Sequence, residues 1–211
     1  MVLKGQFLER STLIPVKEGE VMEGVAHRGE ARPPLLILPP RPADGGGMDH
    51  VIAAELAFAA ASDGHPTLRF NYRGVGGSQG ERGSDEALVE DAGAALGVVL
   101  ENAQAPSAAV AVLHGSARVA LELRARHPEA AALCLESPRD VTPRELAGLG
   151  RTLLVVVGER DATLSRAELS QAVDEAGGSL VVVEEAGANF HHALPSVGRA
   201  VRTWLKMLSG S

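Results

Sequence analysis

Residues able to do chemistry in this chain cluster just after short apolar runs. His114-Gly115-Ser116 follows the run 108–113, Gly158-Glu159-Arg160-Asp161 follows 153–157, and Gly187-Ala188-Asn189-Phe190-His191-His192 follows 180–183. A hydroxyl, a carboxylate and imidazoles are the groups of nucleophilic catalysis, provided the fold brings them within hydrogen-bond reach of roughly 2.6–3.2 Å. Each also has a plainer use. Ser116 suits the N-cap of a helix beginning at Ala117, and His114 suits a strand-end histidine bonded to nearby backbone. The neighbours His191 and His192 point apart in an extended loop, with no Cys or carboxylate pattern beside them, so no metal site is expected. Glycines at 74, 76 and 80 do not match G-x-G-x-x-G spacing, and no helix follows at once, which argues against a nucleotide-phosphate loop.

Elements that could hold these loops are legible as alternating periods. Nearly continuous apolar runs at 35–38, 67–72, 108–113, 131–135, 153–157 and 180–183 read as strands covered on both faces. Between and after them, helical segments are expected at 49–61, 85–102, 117–126, 144–149, 166–176 and 197–208. This alternation is the signature of βαβ units and a parallel sheet. Residues 11–16 and 21–26 add an antiparallel hairpin at one edge, giving about eight strands in a single domain. Ligands of such sheets bind at the strands' carboxyl ends, where the loops above lie. Only 137–143 separates the strand at 131–135 from its next helix, too little for a cap domain.

A resemblance sharpens this. The string LRFNYRGVGGSQG at 68–80 resembles the R-F-N-F-R-G-V-G-x-S-x-G segment of small bacterial α/β-hydrolases. The preceding loop 39–48 is similar to their H-P-H-P-x-x-G-G-x-M in Pro40, Pro42, Gly45, Gly46 and Met48. Membership would imply the α/β-hydrolase fold and a serine nucleophile on a sharp elbow, then an acid, then a histidine. Asp161 matches the acid of the family's G-x-x-D loop. At the elbow two registers are open. Ser116 as nucleophile puts His114 and Arg118 where glycines belong; matching the following helix without a gap puts His114 on the nucleophile position. A positive φ at His114 would exclude Ser116 as the elbow's nucleophile. Where the family reads G-A-D-H-F-F, Phe190 replaces the imidazole, and His191 could serve only through a one-residue shift. For the oxyanion hole, the resemblance leaves the N–H groups of Arg41 and Ala117, because Pro39, Pro40 and Pro42 cannot donate.

The sequence therefore implies an α/β-hydrolase-fold protein with a degenerate catalytic set, binding a small ester or amide ligand or a protein partner without catalysis. The alternative is an active serine acyl hydrolase, esterase-, thioesterase- or peptidase-like, using Ser116, Asp161 and His191. No cofactor is expected. A net charge of −7 with arginines scattered singly argues against nucleic acid. A mean hydropathy of +0.05 and the lack of an 18-residue apolar stretch argue against a membrane. Cys134 lies inside an apolar run and is the sole cysteine, which suits a core position in a reducing compartment. With no signal-peptide pattern at the N-terminus, a cytoplasmic location is expected. His27, His50, His65 and His127 are expected at the surface.

Overall fold

A computed structural model of the chain describes residues 8–163 and 165–210. Eight strands form one sheet: β1 (Arg10–Pro15), β2 (Val21–His27), β3 (Leu35–Leu38), β4 (Thr67–Phe70), β5 (Ala108–Leu113), β6 (Ala130–Glu136), β7 (Leu153–Gly158) and β8 (Ser179–Val183). Their order is β1-β2-β4-β3-β5-β6-β7-β8. β2 runs antiparallel to β1 and β4, and every other neighbouring pair is parallel. The helices are α1 (Val51–Ser62), α2 (Asp85–Ala103), α3 (Ala117–Arg126), α4 (Pro143–Leu146), α5 (Arg166–Ala176) and α6 (Leu194–Ser209). The expected mostly parallel, doubly covered sheet without a cap is what forms.

Alternation along each strand builds two cores. Leu36, Leu38, Val110, Val112, Leu133 and Leu135 face the layer of α2, α3 and α5. Leu35, Ile37, Ala109, Ala111, Cys134 and Val156 face α1 and α6. Small side chains on that second face let α1 lie close, and α6 seals it with Trp204, 3% exposed, whose indole N–H donates to Thr152 O at 3.2 Å. Cys134 is fully buried among these residues, with its thiol pushed well up by burial.

The segment 68–80 acts as a clamp. Asn71, 6% exposed, accepts the N–H of Met48 at 2.7 Å and donates to Glu23 Oε1 at 2.6 Å. Ser78 Oγ donates to Asn71 O at 2.8 Å and accepts Glu23 N–H at 3.0 Å. Arg69 donates to Met48 O, Asp49 and Glu9, each at 2.8 Å. Gly76 has φ +57°, and a Cβ there would stand 2.5 Å from Asn71 Nδ2 and 2.3 Å from Glu23 Oε1. The motif thus ties the loop after β3 to the antiparallel hairpin, and its glycine leaves room for the tie.

Two histidines depart from expectation. His27 lies within β2, 6% exposed, its Nδ1 paired with Thr67 Oγ1 at 2.8 Å, and His65 is 3% exposed with Nδ1 on Pro33 O at 2.8 Å. Long-range hydrogen bonds offset their burial, and such partners leave no local trace in sequence.

Candidate functional site

The candidate site lies where β5, β6, β7 and β8 end. Between β5 and α3 the chain turns on His114, whose backbone is left-handed at φ +49°. A non-glycine residue pays strain there, of order 1 kcal/mol or more, that the surroundings must hold in place. Its imidazole is 8% exposed, and neither ring nitrogen meets a hydrogen-bond partner among the described residues. It stands edge-on to His50, with ring centroids 5.6 Å apart and planes at 82°. Burial pulls its pKa down to about 4, helped by the charges of Arg139 and His50 and opposed by Asp161 and Asp44. At neutral pH this imidazole is therefore uncharged and a weak base. His50 caps α1, its Nδ1 accepting Ile52 N–H at 3.4 Å.

Ser116 is fully buried at φ −103° and ψ 8°, and its hydroxyl donates to Pro39 O at 2.9 Å. That proton is directed at main chain, not at an imidazole. The N–H groups of Ala117 and Arg118 donate to the two carboxylate oxygens of Asp140 at 3.1 and 3.0 Å. Asp140 thus holds the positive end of α3, the place where developing oxyanion charge would need stabilising. Asp44 adds to this: a Cβ on Gly115 would stand 3.1 Å from its Oδ2. Arg41 sits between Pro40 and Pro42, its carbonyl accepting the N–H groups of Asp44 and Gly46 and its guanidinium bonded to Asp85 at 2.8 Å.

Asp161 lies three residues beyond the end of β7, its own N–H bonded to Gly158 O at 3.0 Å. Burial would raise its pKa, but the hydroxyl and N–H of Thr163 donate to its carboxylate and the net shift is downward, so it is ionised. Phe190 has φ +50° and is fully buried among the residues facing α1 and α6. Burying a phenyl ring stabilises by about 1.5–3 kcal/mol, enough to offset the left-handed backbone. His191 and His192 are exposed and border a cleft of about 450 Å³ with Arg160 and Glu184. His191 lies near enough to His50 for its charge to lower the His50 pKa, although burial is the larger cause. The structure therefore groups His114 with His50, Asp161 and Asp44. It does not join Ser116 to His191, since one is sealed beneath the turn and the other stands at the surface.

Four members of this neighbourhood lie outside the candidates that the sequence offers: His50, Asp44, Asp140 and Glu136. Glu136 ends β6 fully buried; one oxygen accepts the Cys134 thiol at 3.4 Å and the other has no hydrogen-bond partner among the described residues. Burial raises its pKa to about 8, so it is a neutral acid at pH 7. Its signal was a carboxylate closing an apolar strand; Asp140 and Asp44 gave none, because their partners are distant in sequence. Among the described residues no cluster of three His, Cys, Asp or Glu is placed to hold a metal ion, and no helix is long and apolar enough to cross a membrane.

No protein-family model matches the sequence. An uncharacterized protein of Rickettsia prowazekii (strain Madrid E) is 36% identical over 98 residues, which is 46% of this chain and 41% of that protein. Solved structures cover nearly all of the chain. An alpha-beta serine hydrolase homologue from Coxiella burnetii superposes with TM-score 0.77 at 25% identity, over 92% of this chain and 96% of its own. A putative alpha/beta hydrolase of unknown function from Agrobacterium tumefaciens gives 0.81 at 23%, over 96% and 98%. A serine hydrolase without a lid from Xanthomonas campestris gives 0.79 at 20%, over 96% of each chain. The chain has the α/β-hydrolase fold in its lid-less form, and its structural neighbours are α/β serine hydrolase-like proteins.

Proposed function

We propose that this chain keeps the α/β-hydrolase scaffold for binding and does not perform serine acyl transfer. The observation that carries the reading is the left-handed His114, which supports the register with histidine on the elbow's nucleophile position. Three others support it: Ser116 is sealed against Pro39, Asp140 holds the N–H of Ala117, and Phe190 fills the place of the family's histidine. Acyl transfer needs a nucleophile, a base and oxyanion donors together, and losing one such member costs several orders of magnitude. The rim around His114, His50 and His191 is the surface left for a small ligand or a protein partner. The second reading, acyl hydrolysis by Ser116, Asp161 and His191, is favoured by the ionised Asp161 in the acid's loop.

Hydrolysis of p-nitrophenyl acetate separates the two. Wild type is expected to show no more than the background of free imidazole, unchanged in Ser116→Ala and Asp161→Asn. A rate that falls a hundredfold or more in both variants would establish the second reading instead.

A further inference from the structure

A second cleft lies at the other end of the sheet from the candidate site. It encloses about 650 Å³, within the range of small-molecule pockets. The pairing register explains its floor: Arg10 faces Ala26 across β1 and β2, and Ala26 faces Leu68 across β2 and β4, so the three share one row. Thr12 and Arg28 lie two positions further along the same face of their chains, and Val99 and Asn102 of α2 form the opposite wall. In a protein of net charge −7, no Asp or Glu among the described residues lines this cleft. Arg10 and Arg28 are among the arginines that form no ion pair among the described residues, and both line this one cleft. The nearby Glu9 is engaged by Arg69 at 2.8 Å. His27, buried at the cleft's edge, has its pKa lowered by burial, its Nδ1 paired with Thr67 Oγ1 and its Nε2 4.0 Å from Glu9 Oε1.

We infer that this cleft binds a small organic anion, a phosphate or carboxylate carried on an apolar body. Two guanidiniums free of protein carboxylates match such an oxygen-rich head, since Arg binds these groups in a bidentate way. The Thr12 hydroxyl and the Asn102 amide extend the polar contacts. Ala26, with the nearly buried Leu68 and Val99 beneath it, supplies an apolar floor that a bare inorganic ion would not use. Occupancy here is independent of the elbow, because the cleft sits at the opposite ends of the strands.

Phenyl phosphate is the probe, followed by amide chemical shifts of the nitrogen-15-labelled full chain. Saturable shifts are expected at residues 10–12, 26–29 and 99–102. Inorganic phosphate should bind at least tenfold more weakly, benzyl alcohol should leave these amides unmoved, and the double variant Arg10→Gln/Arg28→Gln should weaken phenyl phosphate binding at least tenfold. Both arginines are exposed, so the double variant should fold, and its amide spectrum verifies that it does. The inference is overturned by shifts confined to other surfaces, by the absence of saturable binding, or by undiminished affinity in the folded double variant. Equal affinity for inorganic phosphate or for benzyl alcohol overturns it as well.

Discussion

Wild-type protein is expected to lose about 2 kcal/mol of unfolding free energy between pH 6.5 and pH 8, and Glu136→Gln is expected to lose almost none of it. Glu136 ionises near the ordinary glutamate value of 4.5 in the unfolded chain but only at about 8 in the folded one. Between those values the folded state holds one more proton than the unfolded state, so stability falls as pH rises, at up to about 1.4 kcal/mol per pH unit. Across the whole interval this withholds about 5 kcal/mol. His114 has the opposite sign. Its pKa drops from 6.5 to about 4 on folding, so the unfolded chain takes up the proton first and stability falls as pH drops below 6.5. His27 and His50, both lowered mainly by burial, act in the same direction. From pH 6.5 down to 4.5 the glutamate and histidine contributions oppose each other, whereas above pH 6.5 Glu136 acts without that opposition. Urea unfolding at a series of pH values checks this. An equal slope above pH 6.5 in wild type and Glu136→Gln would show that the carboxyl is already ionised in the folded protein.

Asn71→Ala is expected to destabilise the protein by about 3 kcal/mol, with much of the loss recovered in no single replacement. The substitution leaves the buried Met48 N–H without its partner and removes the amide donor to the half-buried Glu23 Oε1, which keeps the N–H of Gly77 at 2.6 Å. A stranded buried polar group costs about 1–3 kcal/mol, and a hydrogen bond to a charged group is worth a similar amount. Asn71→Asp keeps the acceptor for Met48 but places a second carboxylate 2.6 Å from Glu23 Oε1, so it should fare no better. Thermal or urea denaturation measures both variants. A loss under about 1 kcal/mol for Asn71→Ala would mean that the loop after β3 holds its position without the clamp.

How far the sequence spoke depended on whether a feature was local. Strands such as β5 and helices such as α3 and α5 were legible to the residue, because continuous apolar runs and helical periods are encoded where they occur. β4 ends at Phe70 rather than Tyr72, since the Asn71 side chain is drawn to Met48 and Glu23. α4 stops at Leu146, short of the expected 149, and Gly150 follows with φ +74°. α6 begins at Leu194, three residues early, with Pro195 in its first turn. At the candidate site the place of Asp161 just after β7 was legible from the apolar run and the G-x-x-D spacing that follows it. The fate of Ser116 was not, because it depends on Pro39, 77 residues away, and on Asp140 holding the end of α3. His27 and His65 were misplaced for the same reason: their partners, Thr67 and Pro33, are 40 and 32 residues distant.

If His114 rather than Ser116 occupies the nucleophile's place, a reagent that reads only activated serine should find nothing to attack. Intact mass spectrometry of the full chain after incubation with a fluorophosphonate measures this directly. The predicted result is an unmodified mass, while a lid-less serine hydrolase treated alongside gains one phosphonyl group. A stoichiometric adduct on the wild-type chain, mapped to Ser116 and abolished by Ser116→Ala, would contradict the account.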